Sequence, residues 1–147
     1  LLKSLQDNNL IEPIRNRILN GTPYYGVSAG SNITNPTIMT TNDMPIAFPN
    51  GFDALNLIPL QINPHFFSGP FHLKTADGYA EHFGETRDLR IQQFHEENET
   101  PVLGLPEGSW LKVEGDDITL LGEQDALLFR AGKETVTVKV GTSLILR

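Results

Sequence analysis

Three short apolar runs, far apart along the chain, each end in a residue able to act as nucleophile, base or acid. This constrains the fold more than any other feature. Pro23-Tyr24-Tyr25-Gly26-Val27 leads into Ser28, Leu57-Ile58-Pro59-Leu60-Gln61-Ile62 leads through Asn63-Pro64 into His65, and Val102-Leu103-Gly104-Leu105 leads through Pro106 into Glu107. In open sheets built from strand–helix units, sites gather beyond the carboxyl ends of the strands. If the three runs are neighbouring strands, an alcohol, an imidazole and a carboxylate meet at one rim.

The first run has a further signature. Gly26-Val27-Ser28-Ala29-Gly30 carries the G-x-S-x-G spacing of a strand–turn–helix elbow that exposes a nucleophilic serine. A serine hydroxyl attacks well only with a base in hydrogen-bond reach, and that base needs a third group to hold its tautomer. Histidine suits the base role, with an unperturbed pKa of about 6.5. Glu107 is favoured for the third role because it follows a strand between rigid Pro106 and permissive Gly108. Asp43, in Thr41-Asn42-Asp43-Met44-Pro45, competes for it and could instead position a loop or bind a substrate amine. Each residue also has a plain reading. Ser28 could cap the next helix, His65 could be a half-buried histidine, and Glu107 could be an ordinary turn residue.

The rest of the chain reads as alternating α and β, then antiparallel. Leu1, Leu2 and Leu5 have helical spacing. A second helix starts near Glu12-Pro13 and stops at Asn20-Gly21. Thr22–Val27 is expected to be a short buried strand, and helix resumes at Ala29 but not past Pro36. Residues 37–56 read as a loop, and one so long is either functional or wrongly assigned. Residues 57–62 read as a buried strand and 66–84 as irregular. Thr86 caps a helix to about Glu97, with Leu89 and Phe94 facing the core. A strand at 102–105 is followed by hairpins around Gly115-Asp116 and Ala131-Gly132. The expectation is one α/β domain over residues 1–147: a three-layer sandwich with a mostly parallel central sheet and a C-terminal antiparallel β extension.

Composition removes several function classes. The net charge of −7, dispersed rather than in runs, argues against nucleic acid, which is bound by neutralising phosphates. It also argues against anionic membranes, and no run approaches the roughly 18 apolar residues of a membrane span. With no cysteine, disulfides, thiolate nucleophiles and sulfur metal sites are excluded. His72, His82 and His95 lack the tight, four-ligand spacing of a structural zinc site, and no metal is expected. The chain opens on Leu1 with an apolar helical face already under way. We therefore expect a missing N-terminal part, supplied by upstream sequence or a separate chain.

The stretches GVSAGSN, PTIMTTNDMP, NGFDALNLIPLQINPHF, GETRDLRI and GLPEGSWL, taken in order, resemble those of peptidase E, the aspartyl dipeptidase family. They cover most of the chain from about Gly21 to Gly122, and the hairpin tail resembles the family only loosely. The resemblance implies a cytoplasmic serine peptidase without a cofactor that cuts dipeptides with an N-terminal aspartate. It implies a fold similar to the class I glutamine amidotransferases. The nucleophile maps to Ser28, the base to His65 and the triad carboxylate to Glu107, while Asp43 falls in a motif that has also been regarded as catalytic. Backbone N–H groups of Ala29 and of an upstream glycine-rich loop would form the oxyanion hole, so the isolated chain is expected to be inactive or unstable. Arg87 is the residue expected to read the substrate's β-carboxylate, since a guanidinium can bind both oxygens; Arg90 is its rival. A cyanophycinase-like peptidase and a non-catalytic binding domain of the same fold are the alternatives.

Overall fold

The computed structural model describes residues 1–144. Its helical start follows the expected pattern. Helix α1 spans Leu2–Asp7 and α2 spans Ile11–Leu19. The latter ends in a six-residue stop in which Thr22 N–H donates to Arg17 C=O (3.0 Å) and Gly21 N–H to Ile18 C=O (2.9 Å). Leu2 is buried with Ile33, Ala54 and Leu55, and Leu5, Ile11, Ile14 and Ile18 pack on that group. The two helices thus hold the segment that follows the elbow.

Thr22–Val27 is not a buried strand. The segment is without a β ladder and largely exposed, Tyr25 by 88% and Val27 by 62%. An extended run becomes a strand only when a neighbour supplies its hydrogen bonds. Among the described residues none does. The helix after Ser28 is a single turn, α3 (Ala29–Asn32).

The central sheet begins later than the apolar pattern suggests. β1 is Gln61–Pro64. Pro59 has no N–H to give a ladder, so pairing starts at Gln61, although Leu60 is fully buried. The chain then forms β2 (Phe71–Thr75) and β3 (Gly78–His82), a two-stranded hairpin where irregular chain was expected. The overlooked signal is Asp77-Gly78 between alternating runs, a strong hairpin pair. Helix α4 (Arg87–Glu97) follows, capped as expected by Thr86, whose side chain accepts from Leu89 N–H. Its core residue is Ile91, with Phe94 packed behind it. Leu89, expected to face the core, is 43% exposed; two positions along a helix are about 200° apart, so Leu89 and Ile91 cannot share a face.

Strand β4 (Val102–Leu105) returns parallel to β1, in register from Gln61↔Val102 to Pro64↔Leu105. β5 (Ser109–Glu114) and β6 (Asp117–Gly122) form the hairpin expected around Gly115-Asp116. β7 (Ala126–Phe129) and β8 (Val136–Val138) then extend the sheet antiparallel, giving the order β1-β4-β7-β8. The architecture is mixed α/β. Its parallel part, among the described residues, is the β1–β4 pair, and the antiparallel extension joins that pair directly.

Side chains of β4 alternate between the sheet's two faces. Val102 packs with Phe66, Ile91 and Phe129 under α4. Leu103 and Leu105 pack with Ile62, Leu128 and the inward residues Ile118 and Leu120 of β6. Gly104 is needed where it stands: an added Cβ would lie 2.5 Å from the Phe66 ring. Both faces of the parallel pair are therefore covered, and its carboxyl ends are left to build a site.

Candidate active site

Ser28 sits on a strained elbow. Its backbone has φ 53° and ψ −112°, a region that a residue with a side chain seldom occupies. Gly26 makes the turn possible by close approach: a Cβ there would meet the Gly30 carbonyl oxygen at 2.6 Å. Tyr24 Oη donates to that same carbonyl (2.8 Å), and Ser31 Oγ donates to Gly26 C=O (3.2 Å). Burial pushes the Tyr24 hydroxyl above its ordinary pKa, which keeps it a donor. The capping explanation of Ser28 fails, because its hydroxyl makes no hydrogen bond to the helix N-terminus.

That hydroxyl instead meets His65. Ser28 Oγ lies 2.8 Å from His65 Nε2, and His65 Nδ1 is hydrogen-bonded to Glu107 Oε1. With the proton on Nδ1 and held by the carboxylate, Nε2 is left to accept the serine proton. The imidazole is 44% exposed and the Glu107 side chain 75%, so the relay lies on an open rim that a substrate can reach.

His65 is also strained, with φ 55°, and its neighbours hold it there. The Pro64 carbonyl accepts from Asn42 Nδ2 (2.9 Å) and Arg87 Nη1 (3.2 Å). Phe66 N–H donates to Leu105 C=O at 3.0 Å. Among the described residues strand β1 is the sheet edge, and side chains from the 35–42 loop take the place of a neighbouring strand. Fully buried Asn35 accepts from Ile62 N–H (3.0 Å) and donates to Ile62 C=O (3.2 Å). Asn63 Nδ2 donates to Thr40 C=O and Asn42 Oδ1, both at 2.8 Å. The long loop is thus the scaffold of the base.

Glu107 is braced from the tail. Gln124 Nε2 donates to Glu107 C=O (3.1 Å) and Glu123 N–H to Gly108 C=O (3.1 Å). Ser109 Oγ donates to Gln124 C=O (2.8 Å) and accepts from Gln124 N–H (3.0 Å). Ser109 and Gln124 were not legible as site residues. Their meeting depends on the β5–β6 register, Ser109↔Gly122, which local pattern does not reveal.

Asp43 stands outside the relay. Its N–H donates to Thr41 Oγ1 (3.3 Å), and it lines a cavity of about 500 Å³ with Met44, Asn63, Arg90 and Phe94. The carboxylate partnering His65 is Glu107. The two arginines also separate. Arg90 Nε pairs with Glu85 at 2.8 Å, a contact that holds the Glu85 carboxyl below its ordinary pKa, with Gln93 assisting. Arg87 forms no ion pair among the described residues, and its buried Nε has no hydrogen-bond partner. Burial, then the Arg90 charge, lowers its pKa, while the Glu107 charge opposes the change; a guanidinium stays charged regardless. Its carbon lies 4.7 Å from the Phe67 ring centroid. Ala29 opens α3 and is exposed, and its N–H is among those a helix start leaves unsatisfied.

Among the described residues no three His, Asp or Glu side chains are placed to hold a metal ion. His95 bonds Thr100 C=O instead. No helix among them is long and apolar enough to cross a membrane.

Comparison with known proteins gives the family. The sequence profile of peptidase family S51 matches residues 1–121. Peptidase E of Streptomyces coelicolor is 47% identical over 144 residues, covering 98% of this chain and 56% of that protein. Peptidase E of Pasteurella multocida is 44% identical over 143 residues, with 97% and 58% covered. Peptidase E of Salmonella newport is 45% identical over 142 residues, with 96% and 58% covered. The chain spans somewhat over half the length of these relatives. The profile match takes in Ser28, His65 and Glu107, and on that match and these identities the chain belongs to peptidase family S51.

Proposed function

We propose that this chain carries the catalytic rim of a serine-type dipeptidase that releases an N-terminal aspartate from the residue after it. The observation that carries the reading is the unbroken relay from Ser28 Oγ through His65 to Glu107. The family and the peptidase E relatives support it.

Ser28 Oγ attacks the carbonyl carbon of the aspartyl residue while His65 Nε2 takes its proton. Glu107 holds the imidazole and stabilises the imidazolium. Ala29 N–H donates to the oxyanion; a second donor would come from upstream sequence or a separate chain, completing a fold similar to the class I glutamine amidotransferases. His65 then protonates the leaving amine, which departs with the second residue. Water, deprotonated by His65, releases aspartate from Ser28. Arg87 binds the β-carboxylate: it forms no ion pair among the described residues, lines a cavity with Phe71 and Leu73, and a guanidinium can contact both carboxylate oxygens. The work is done in the cytoplasm without a cofactor.

The test is turnover of Asp-Leu by the whole protein and by its Ser28→Ala variant. Loss of roughly 10⁴-fold or more in kcat is expected. Asp-Leu should also exceed Asn-Leu by roughly 10- to 100-fold, the worth of a charged hydrogen-bond pair. Unchanged turnover in Ser28→Ala would refute the assignment.

A further inference from the structure

We propose that the β2–β3 hairpin is the wall that selects the substrate's second residue, favouring an apolar side chain there. This deepens the dipeptidase reading and rests on it.

The hairpin is rooted beside Arg87 at both ends. At its start, Ser68 Oγ (2.9 Å) and Gly69 N–H (3.2 Å) donate to the two carboxylate oxygens of Asp88, the residue after Arg87. At its end the chain enters the α4 cap at Thr86. Aromatic contacts link the root to the arginine. Arg87 lies over Phe67, whose ring meets Phe71 edge-on at 4.6 Å. Phe71 is the register partner of His82, whose ring folds so closely over Gly84 that a Cβ there would lie 2.6 Å from Nε2.

Above this root the hairpin has two unlike faces. Register and strand alternation put Phe71, Leu73, Ala80 and His82 on one face and His72, Lys74, Tyr79 and Glu81 on the other. An apolar face normally covers a core, yet none of its residues belongs to one of the three hydrophobic clusters, and Leu73 is 53% exposed. Phe71, Leu73 and His82 instead line a cavity of about 420 Å³ shared with Asn42, Arg87 and Arg90.

Size and charge decide what fills it. The four heavy atoms of a carboxymethyl group take at most ~120 Å³ if each claims a water's share of about 30 Å³. Most of the space is left after Arg87 has bound an aspartate side chain. Arg90 is already neutralised by Glu85 and calls for no second anion. The rest of the lining is Asn42, Gly84, His82 and the apolar pair Phe71 and Leu73, none of them a side chain of fixed charge. The natural occupant of the space against that apolar pair is the side chain of the residue joined to the aspartate.

The experiment measures kcat/KM of the whole protein on Asp-Leu, Asp-Phe, Asp-Gly and Asp-Lys, with Leu73→Asp, Leu73→Ala and the outward-facing Lys74→Asp. Leucine and phenylalanine should exceed glycine and lysine by roughly 10- to 100-fold, mostly through KM. Leu73→Asp should bring the ratio to within about twofold and Leu73→Ala should reduce it; Lys74→Asp should leave it intact. The Asp-over-Asn ratio, set at Arg87, should not move in any of the three. A wild-type protein indifferent to the second residue, or an equal effect of Lys74→Asp, would overturn the proposal. Calorimetric binding of the same dipeptides to Ser28→Ala reads the preference without turnover. A leucine preference in binding with no cleavage by wild type would remove the dipeptidase reading and keep the wall. Cleavage of all four dipeptides at equal rates would do the reverse.

Discussion

Pro64 and Leu105 are register partners at the carboxyl ends of the parallel pair β1–β4. His65 is one residue beyond the first and Glu107 two beyond the second, so both leave the sheet at one rim. An antiparallel pair would send the residues after its strands to opposite ends. Parallel pairing is thus what brings together a base and an acid 42 positions apart.

The triad acid can be told from its rival by substitution. Glu107→Gln keeps the size but loses the charge facing the imidazolium, and kcat on Asp-Leu should fall roughly 10²- to 10⁴-fold. Asp43→Asn, at a residue outside the relay, should stay within about tenfold of wild type. Comparable losses in both would return Asp43 to the chemistry.

Gln124 should act on Glu107 through the backbone. Gln124→Ala removes the amide held to the Glu107 carbonyl without touching substrate or relay. We expect kcat to fall by about three- to tenfold with KM within twofold. A changed KM at constant kcat would show that the tail serves binding instead.

Arg87 and Asn42 share the Pro64 carbonyl, but of the two only Arg87 carries the guanidinium proposed to read the substrate's carboxylate. Asn42→Ala should lower kcat while preserving the Asp-over-Asn ratio. Arg87→Lys should keep the charge and lose most of that ratio, because an ammonium cannot make the planar two-point contact. Measuring both ratios on matched dipeptides checks the division of labour.

Stability should respond at Asn35 as it does in the apolar core. Asn35→Ala strands both Ile62 backbone groups at a buried edge, a cost of about 1–3 kcal/mol. Leu103→Ala opens a cavity between the sheet and β6 and should cost about 2–5 kcal/mol. Urea unfolding gives both. Asp125 contributes to the pH response, held below its ordinary pKa by Lys139 and by the Val140 N–H. A depressed carboxylate stabilises above its unfolded pKa, and the contribution disappears as pH falls through the folded value. Asp125→Asn should therefore narrow the stability difference between neutral and acid pH.

Legibility in the sequence tracked how local the cause was. The α2 stop at Gly21, the Thr86 cap and the β5–β6 turn are written in a few adjacent residues, and they stand where pattern puts them. Thr22–Val27 is apolar enough for a strand, but pairing needs a neighbour that its own residues do not encode. The β2–β3 hairpin was missed although Asp77-Gly78 signals it, because its flanks bury nothing and so lack the apolar weight of a core strand. Ser28, His65 and Glu107 were legible because each follows an apolar run. The braces Asn42, Ser109 and Gln124 were not, since they act through side-chain bonds to backbone set by tertiary register.

The most direct test of the relay is the rate at which a fluorophosphonate labels the whole protein, with the adduct located by peptide mass. The expected result is a single adduct on Ser28 that forms at least about a hundredfold more slowly in His65→Gln, since an unactivated serine hydroxyl is a poor nucleophile. Labelling of Ser28 at the same rate with and without the imidazole, or no adduct on Ser28, would contradict it.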